Sequence, residues 1–117
     1  MNPYQYVKKE PYQLYINGKF VPSESGEVFD IINPANNEVI AQAYKGGLGD
    51  LNKAISAARQ AFDHGPWGKM TNVQRSQLLL KVKDILASRR EEFAVLETLD
   101  CGKIYSGALY YDAAMAL

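Results

Sequence analysis

The sequence predicts an α/β chain in which short antiparallel hairpin strands come first and about four helices follow. Three observations lead there. Asn17-Gly18 separates two short β-type runs, and this dipeptide is the strongest short hairpin signal because both positions tolerate positive φ. Alternating apolar residues mark the following runs, and near Gly49 the period changes to that of a helix. Helix-start pairs of the capping-box type then recur, Thr71 with Gln74 and Ser88 with Glu91.

Taken in order, residues 1–11 read as a flexible N-terminal arm punctuated by Pro3 and Pro11, and residues 12–117 as the folded segment. Leu14, Tyr15 and Ile16 form one short strand; Lys19, Phe20 and Val21 form its partner. Pro22 and residues 23–26 make a loop. Residues 27–32 alternate well enough for a half-buried strand, Asn33-Pro34 breaks it, Asn36-Asn37 completes a turn, and residues 38–45 form a further strand. Asp50 is the expected N-cap of the first helix, whose stripe is Leu51, Ala54, Ile55, Ala58 and Phe62. His64-Gly65-Pro66 ends it, and Trp67 is expected to anchor packing in the loop. Leu78, Leu79, Val82, Ile85 and Leu86 form the expected buried face of the second helix. A third helix is expected from Ser88, with Phe93, Leu96 and Leu99 facing inward and Gly102 as the residue after its cap. The last helix starts near Tyr105 or Ser106. Ala108, Tyr111 and Met115 share one face, with Leu109, Ala113 and Leu117 beside them. No stop signal follows, so the sequence reads as the front of something longer, with helices in want of partners.

A chain of 117 residues fits one small domain with a modest core. Thirteen basic and thirteen acidic residues balance, so no electrostatic pull directs the chain to nucleic acid or to an anionic membrane. No apolar run is long enough to span a bilayer. The polar, Tyr-rich start has neither the apolar centre of a signal peptide nor the Arg-rich, acid-poor character of a transit peptide. Cys101 is the only cysteine and has no internal disulfide partner, which fits a reducing compartment. The expected location is the cytoplasm.

Candidate chemistry is sparse. Gly46-Gly47-Leu48-Gly49 lies between a strand and a helix, where a dinucleotide-binding loop would lie. From Gly47, however, Asn52 stands where Gly or Ala belongs, and no second strand ending in an acid follows. The segment reads as a turn. Cys101 would need a base or a positive field to become a nucleophile. Asp100 beside it opposes a thiolate, Lys103 offsets this in part, and the end of a helix has the wrong dipole sign. His64, the only histidine, has no evident reason to meet it. One Cys and one His cannot close a zinc site. Asp100 with main-chain carbonyls could serve a hard cation, or bond to loop amides at a helix end. Glu91, Glu92 and Glu97 read as solvated helix faces, and Lys81, Lys83, Arg89 and Arg90 as ordinary exposed charges. The tyrosines are too scattered to stack bases.

Taken together and in order, residues 14–21, 25–42, 54–70, the R-x-x-x-L-L-K run near Arg75 to Lys81, and residues 96–103 resemble the N-terminal part of the aldehyde dehydrogenase superfamily. The resemblance runs from about Tyr12 to the end. It implies that this chain holds only the first part of an NAD(P)-binding domain, without the parallel sheet its helices would cover. The activity implied is oxidation of a small-molecule aldehyde to a carboxylic acid. A cysteine attacks the aldehyde, hydride passes to NAD or NADP, and a glutamate activates water. Those parts lie downstream in the family, so catalytic and cofactor-binding residues are expected to be absent here and Cys101 to be a bystander. The family usually has Thr or Asn at that position. One site carries over: a monovalent cation, K+ or Na+, held by the main-chain carbonyls of Ile31 and Ile32 and the carboxylate of Asp100, with the remaining ligands downstream.

Three functional readings follow. The first is a truncated NAD(P)+-dependent aldehyde dehydrogenase, inactive in isolation. The second is a non-catalytic module that docks on a full-length aldehyde dehydrogenase through its apolar terminal helix. The third is a small independent enzyme using Cys101. With the parallel sheet absent, a marginal or aggregation-prone chain is expected.

Overall fold

A computed structural model describes residues 2–113. Four strands come first: β1 (Leu14–Ile16), β2 (Lys19–Val21), β3 (Val28–Ile32) and β4 (Val39–Tyr44). Four helical elements follow: α1 (Leu48–His64), α2 (Asn72–Ser88), α3 (Arg90–Cys101) and α4 (Tyr105–Gly107), the last continuing as a π-helical stretch over Ala108–Asp112. Met115 and Leu117 lie outside the described residues. Short 3-10 turns occupy Pro3–Tyr6 and Trp67–Lys69. The expected α/β order is therefore present, strands before helices.

The strands pair as two antiparallel ribbons. Asn17 (φ 53°) and Gly18 (φ 76°) turn β1 into β2 with Leu14 opposite Val21, as the dipeptide predicts. Tyr15 and Phe20 face each other across the ribbon, ring centroids 5.0 Å apart. β3 pairs with β4 from Val28 opposite Tyr44 to Ile32 opposite Val39, and an irregularity at Ile31/Ile32 leaves Ile40 without an opposite partner. Asn33 makes the turn that ends β3. Its side-chain oxygen accepts the Ala35 N–H (2.9 Å), while its own N–H donates to the Glu38 carbonyl (2.9 Å). Tyr12 joins β4 alongside Ala43 as a parallel bridge, the only parallel pairing among the described residues.

Several local expectations need correction. Gly47, not Asp50, is the N-cap of α1, and Asp50 sits one turn in. Its carboxylate accepts the Gly47 N–H (2.9 Å) from inside the helix, the acid half of a capping box. Ser88 does not cap α3. Its hydroxyl donates to the Ile85 carbonyl of the preceding turn (2.8 Å), and Arg89 serves as the junction between α2 and α3. Thr71 and Gln74 do form the reciprocal box at the start of α2, at 3.3 and 2.8 Å. Gly102 ends α3 in the left-handed region, φ 70°, and its N–H donates to the Thr98 carbonyl.

Burial departs furthest from expectation. The buried apolar residues are Ala94, Val95, Leu99 and Ala108, where α3 meets α4 and the π-helical stretch. Arg90 joins the same elements, donating from Nε (2.9 Å) and Nη2 (2.7 Å) to the Leu109 carbonyl. Phe93 is partly exposed and Trp67 is too open to anchor packing. β3 is also less covered than its alternation implies, with Phe29 and Ile32 exposed. The face expected to be buried on α2 is open: Leu79 and Ile85 are each 58% exposed, and no residue of α2 is buried. The physical reason is that no described element packs extensively on α2. Phe62 on α1 is 77% exposed for the same reason.

Candidate functional site

The end of β3 and the end of α3 are brought together by backbone geometry. Gly102 turns in the left-handed region directly against Pro34, and a Cβ built at Gly102 would lie 2.9 Å from Pro34 Cγ. That close approach carries the last turn of α3, with Asp100, toward the strand end formed by Ile31 and Ile32. Ile31 and Asp100 border one cavity of about 300 Å³, together with Tyr12, Leu96 and Glu97. The Ile32 side chain is exposed and does not line the cavity.

Three charges expected in solvent are partly buried instead: Arg90, Glu92 and Glu97. Glu97 lies three residues before Asp100 on the same helix, and it borders the same cavity. Two carboxylates in the last turns of a helix oppose the helix dipole. That mismatch, visible in the sequence as Glu97 and Asp100 just before the Gly102 cap, is the signal that marks the position. The two side chains that bring charge to this cavity, Glu97 and Asp100, both carry hard oxygen. Such a pair suits a hard cation and has no soft donor beside it other than the neighbouring thiol. Among the described residues no three acidic, His or Cys groups converge as a metal cage, so a cation here needs main-chain oxygens.

Cys101 is exposed and free. The Glu97 carboxylate raises its thiol above the ordinary cysteine value, followed by partial desolvation and by Asp100, and Lys103 offsets only part of this. Lys103 is itself paired with Asp112 at 2.5 Å. The thiol is therefore harder to ionise than an ordinary cysteine, the reverse of what a nucleophile needs. His64 lies at the far end of α1, in an element that makes no extensive contact with α3.

The glycine-rich turn does not fit a dinucleotide. The N-terminus of α1 is the anion-binding end of a helix, but Asp50, only 5% exposed, already sits there. Its carboxylate accepts the Gly47 N–H and also the Glu24 N–H (3.2 Å), tying the loop after β2 to the helix. Glu24 in turn pairs with Lys53 at 2.6 Å. The Glu24 carboxylate lies beside Gly49, where a Cβ would meet it, so the space next to this glycine is taken up by a protein acid.

A sequence model described as the aldehyde dehydrogenase family matches residues 20–117. The chain is similar to aldehyde dehydrogenase family 2 member B4, mitochondrial, of Arabidopsis thaliana, at 47% identity over 88% of this chain and 19% of that protein. It superposes on an aldehyde dehydrogenase of Bacillus cereus solved as an NAD+ complex, with a TM-score of 0.86, 41% identity, and coverage of 90% of this chain and 21% of that one. Betaine aldehyde dehydrogenase of Staphylococcus aureus, also solved with NAD+, gives a TM-score of 0.90 and 37% identity over 97% of this chain and 22% of that one. The chain thus spans about a fifth of the length of these relatives.

Proposed function

Since the chain belongs to the aldehyde dehydrogenase family, we propose that its 117 residues form the N-terminal structural part of an NAD(P)+-dependent enzyme that oxidises an aldehyde to a carboxylic acid. The observation that carries this reading is the match to the family over residues 20–117. NAD+ in the solved relatives supports a nicotinamide cofactor for the longer enzyme. In that enzyme the open faces of α1 and α2 pack against the rest of the polypeptide. By themselves these residues catalyse no dehydrogenation. The one thiol is harder to ionise than an ordinary cysteine, the one histidine lies on an element that does not pack on it, and Asp50 occupies the N–H groups at the glycine turn. The test is direct: the purified chain, supplied with NAD+ or NADP+ and a panel of aldehydes, is expected to leave absorbance at the NADH band unchanged. An aldehyde-dependent rise that stays with the chain through repurification overturns the reading.

The cation site belongs to the same reading. K+ or Na+ would be held by the Ile31 and Ile32 carbonyls and by Asp100, completed by oxygens from the rest of the enzyme. The shared cavity of Ile31 and Asp100 supports it. A cytoplasmic location rests on the single cysteine; no described helix is long and apolar enough to cross a membrane.

A second reading is favoured by the exposed stripes of α1 and α2: a non-catalytic module docking on an intact aldehyde dehydrogenase. Co-purification with such an enzyme is its expected outcome, and elution of the two as separate species would rule it out.

A further inference from the structure

The chain has seven asparagines, and their surroundings differ sharply. Asn2 and Asn33 precede proline, so the next backbone nitrogen carries no hydrogen. The side chain of Asn36 is tied at both ends to Glu38, donating to Oε2 at 2.7 Å and accepting its N–H at 3.1 Å. That second bond also engages the nitrogen that follows Asn37. Asn52 and Asn72 lie within α1 and α2, and Asn72 is held by Arg75. Asn17 stands apart. It is exposed at the tip of the β1–β2 ribbon, and the next residue is Gly18, also exposed. The space beside Gly18 is open: apart from its own chain neighbours, nothing lies within 4 Å of where a Cβ would be. Neither the Asn17 amide nor the Gly18 N–H enters a hydrogen bond among the described residues.

We propose that Asn17 is a site of spontaneous covalent modification in the folded chain, losing its amide to give aspartate and isoaspartate. The Gly18 nitrogen attacks Asn17 Cγ. The N–Cγ bond forms, the Cγ–Nδ2 bond breaks, and the displaced nitrogen leaves as ammonia with the proton from Gly18. Water then opens the cyclic imide at either carbonyl. Opening at the side-chain carbonyl gives aspartate and restores the original main chain. Opening at the main-chain carbonyl gives isoaspartate and routes the backbone through Cβ. No oxidant or cofactor takes part. Both products add one negative charge to a chain whose formal charge is zero. Isoaspartate also lengthens a two-residue turn that fixes Leu14 opposite Val21, so the Tyr15–Phe20 pair loses its register.

The test is to age the folded chain in mildly alkaline buffer, digest it with trypsin and follow each asparagine-containing peptide. The expected result is that the peptide ending at Lys19 splits into aspartate and isoaspartate forms before any of the other six asparagines changes. An intact Asn17 amide after another asparagine has been lost would overturn the proposal. So would loss of the Asn17 amide in concentrated urea but not in buffer, because the ribbon would then be protecting the site.

Discussion

Cys101 illustrates how one neighbouring charge decides whether a sulfur can react. It is exposed, yet Glu97 one helical turn back, with Asp100 beside it, raises its thiol. The sign is simple: a thiolate would be a further negative charge near two carboxylates. Removing the larger cause must lower the titration toward the ordinary cysteine value. Glu97→Gln is therefore expected to shift the pH of half-maximal iodoacetamide alkylation downward and to speed labelling near neutrality. An unchanged pH profile would show that Glu97 does not govern the thiol. Asp50 carries the opposite lesson, an acid with a structural duty. It satisfies the N–H groups of Gly47 and Glu24 and is nearly inaccessible. Asp50→Ala is expected to lower unfolding free energy by about 1–2 kcal/mol, in the range of lost helix caps. Asp50→Asn, which keeps an acceptor, is expected to cost less. Equal losses for the two in urea titrations would count against the capping role.

Elements were legible where the signal is local. Asn17-Gly18 announces its hairpin, Thr71 with Gln74 announces α2, and Gly102 announces the end of α3, because each depends on a few consecutive backbone groups. Ser88 misled because a serine hydroxyl has two local choices, and here it bonds backward to Ile85. Asp50 misled by three residues because a box can be closed by its acid alone over a glycine N-cap. Of the candidate site, the sequence singles out Asp100 and reads Glu97 as a solvated face, because helical periodicity cannot say which elements close over a charged side; only the pairing of the two acids at a helix end hints at the cavity they border. The junction at Gly102 tests whether the site is assembled by backbone approach. Gly102→Ala meets two penalties at once, a positive φ and a Cβ pressed on Pro34. The expected loss is at least about 1–2 kcal/mol from the left-handed conformation alone, with faster hydrogen exchange at both Asn33 and Gly102. Faster exchange confined to the α3 end would show that the Pro34 contact does not couple the two elements.

The whole molecule is more open than its size predicts. It exposes 8754 Å², where a compact monomer of this mass would expose about 6,400 Å². Its radius of gyration is 17.2 Å, against about 13 Å for a compact chain of this length. The thinnest dimension is 17 Å, and large apolar side chains lie uncovered on the strands, such as Phe20 and Phe29, as well as on the helices. On α2 the apolar residues are numerous, Leu78, Leu79, Leu80, Val82 and Ile85 among them, and in this chain all five are exposed. Two consequences can be separated experimentally. Leu79→Glu combined with Val82→Glu places charge on adjacent turns of that face. In the isolated chain it is expected to change unfolding free energy by no more than about 0.5 kcal/mol, as at ordinary surface positions. It is also expected to reduce binding of a hydrophobic dye and the tendency to aggregate. In the longer enzyme the same pair would bury two carboxylates, so soluble, assembled enzyme is expected to be lost. Comparable tolerance in both settings would mean that the α2 face stays in solvent throughout, and that the apolar stripe is no docking surface at all.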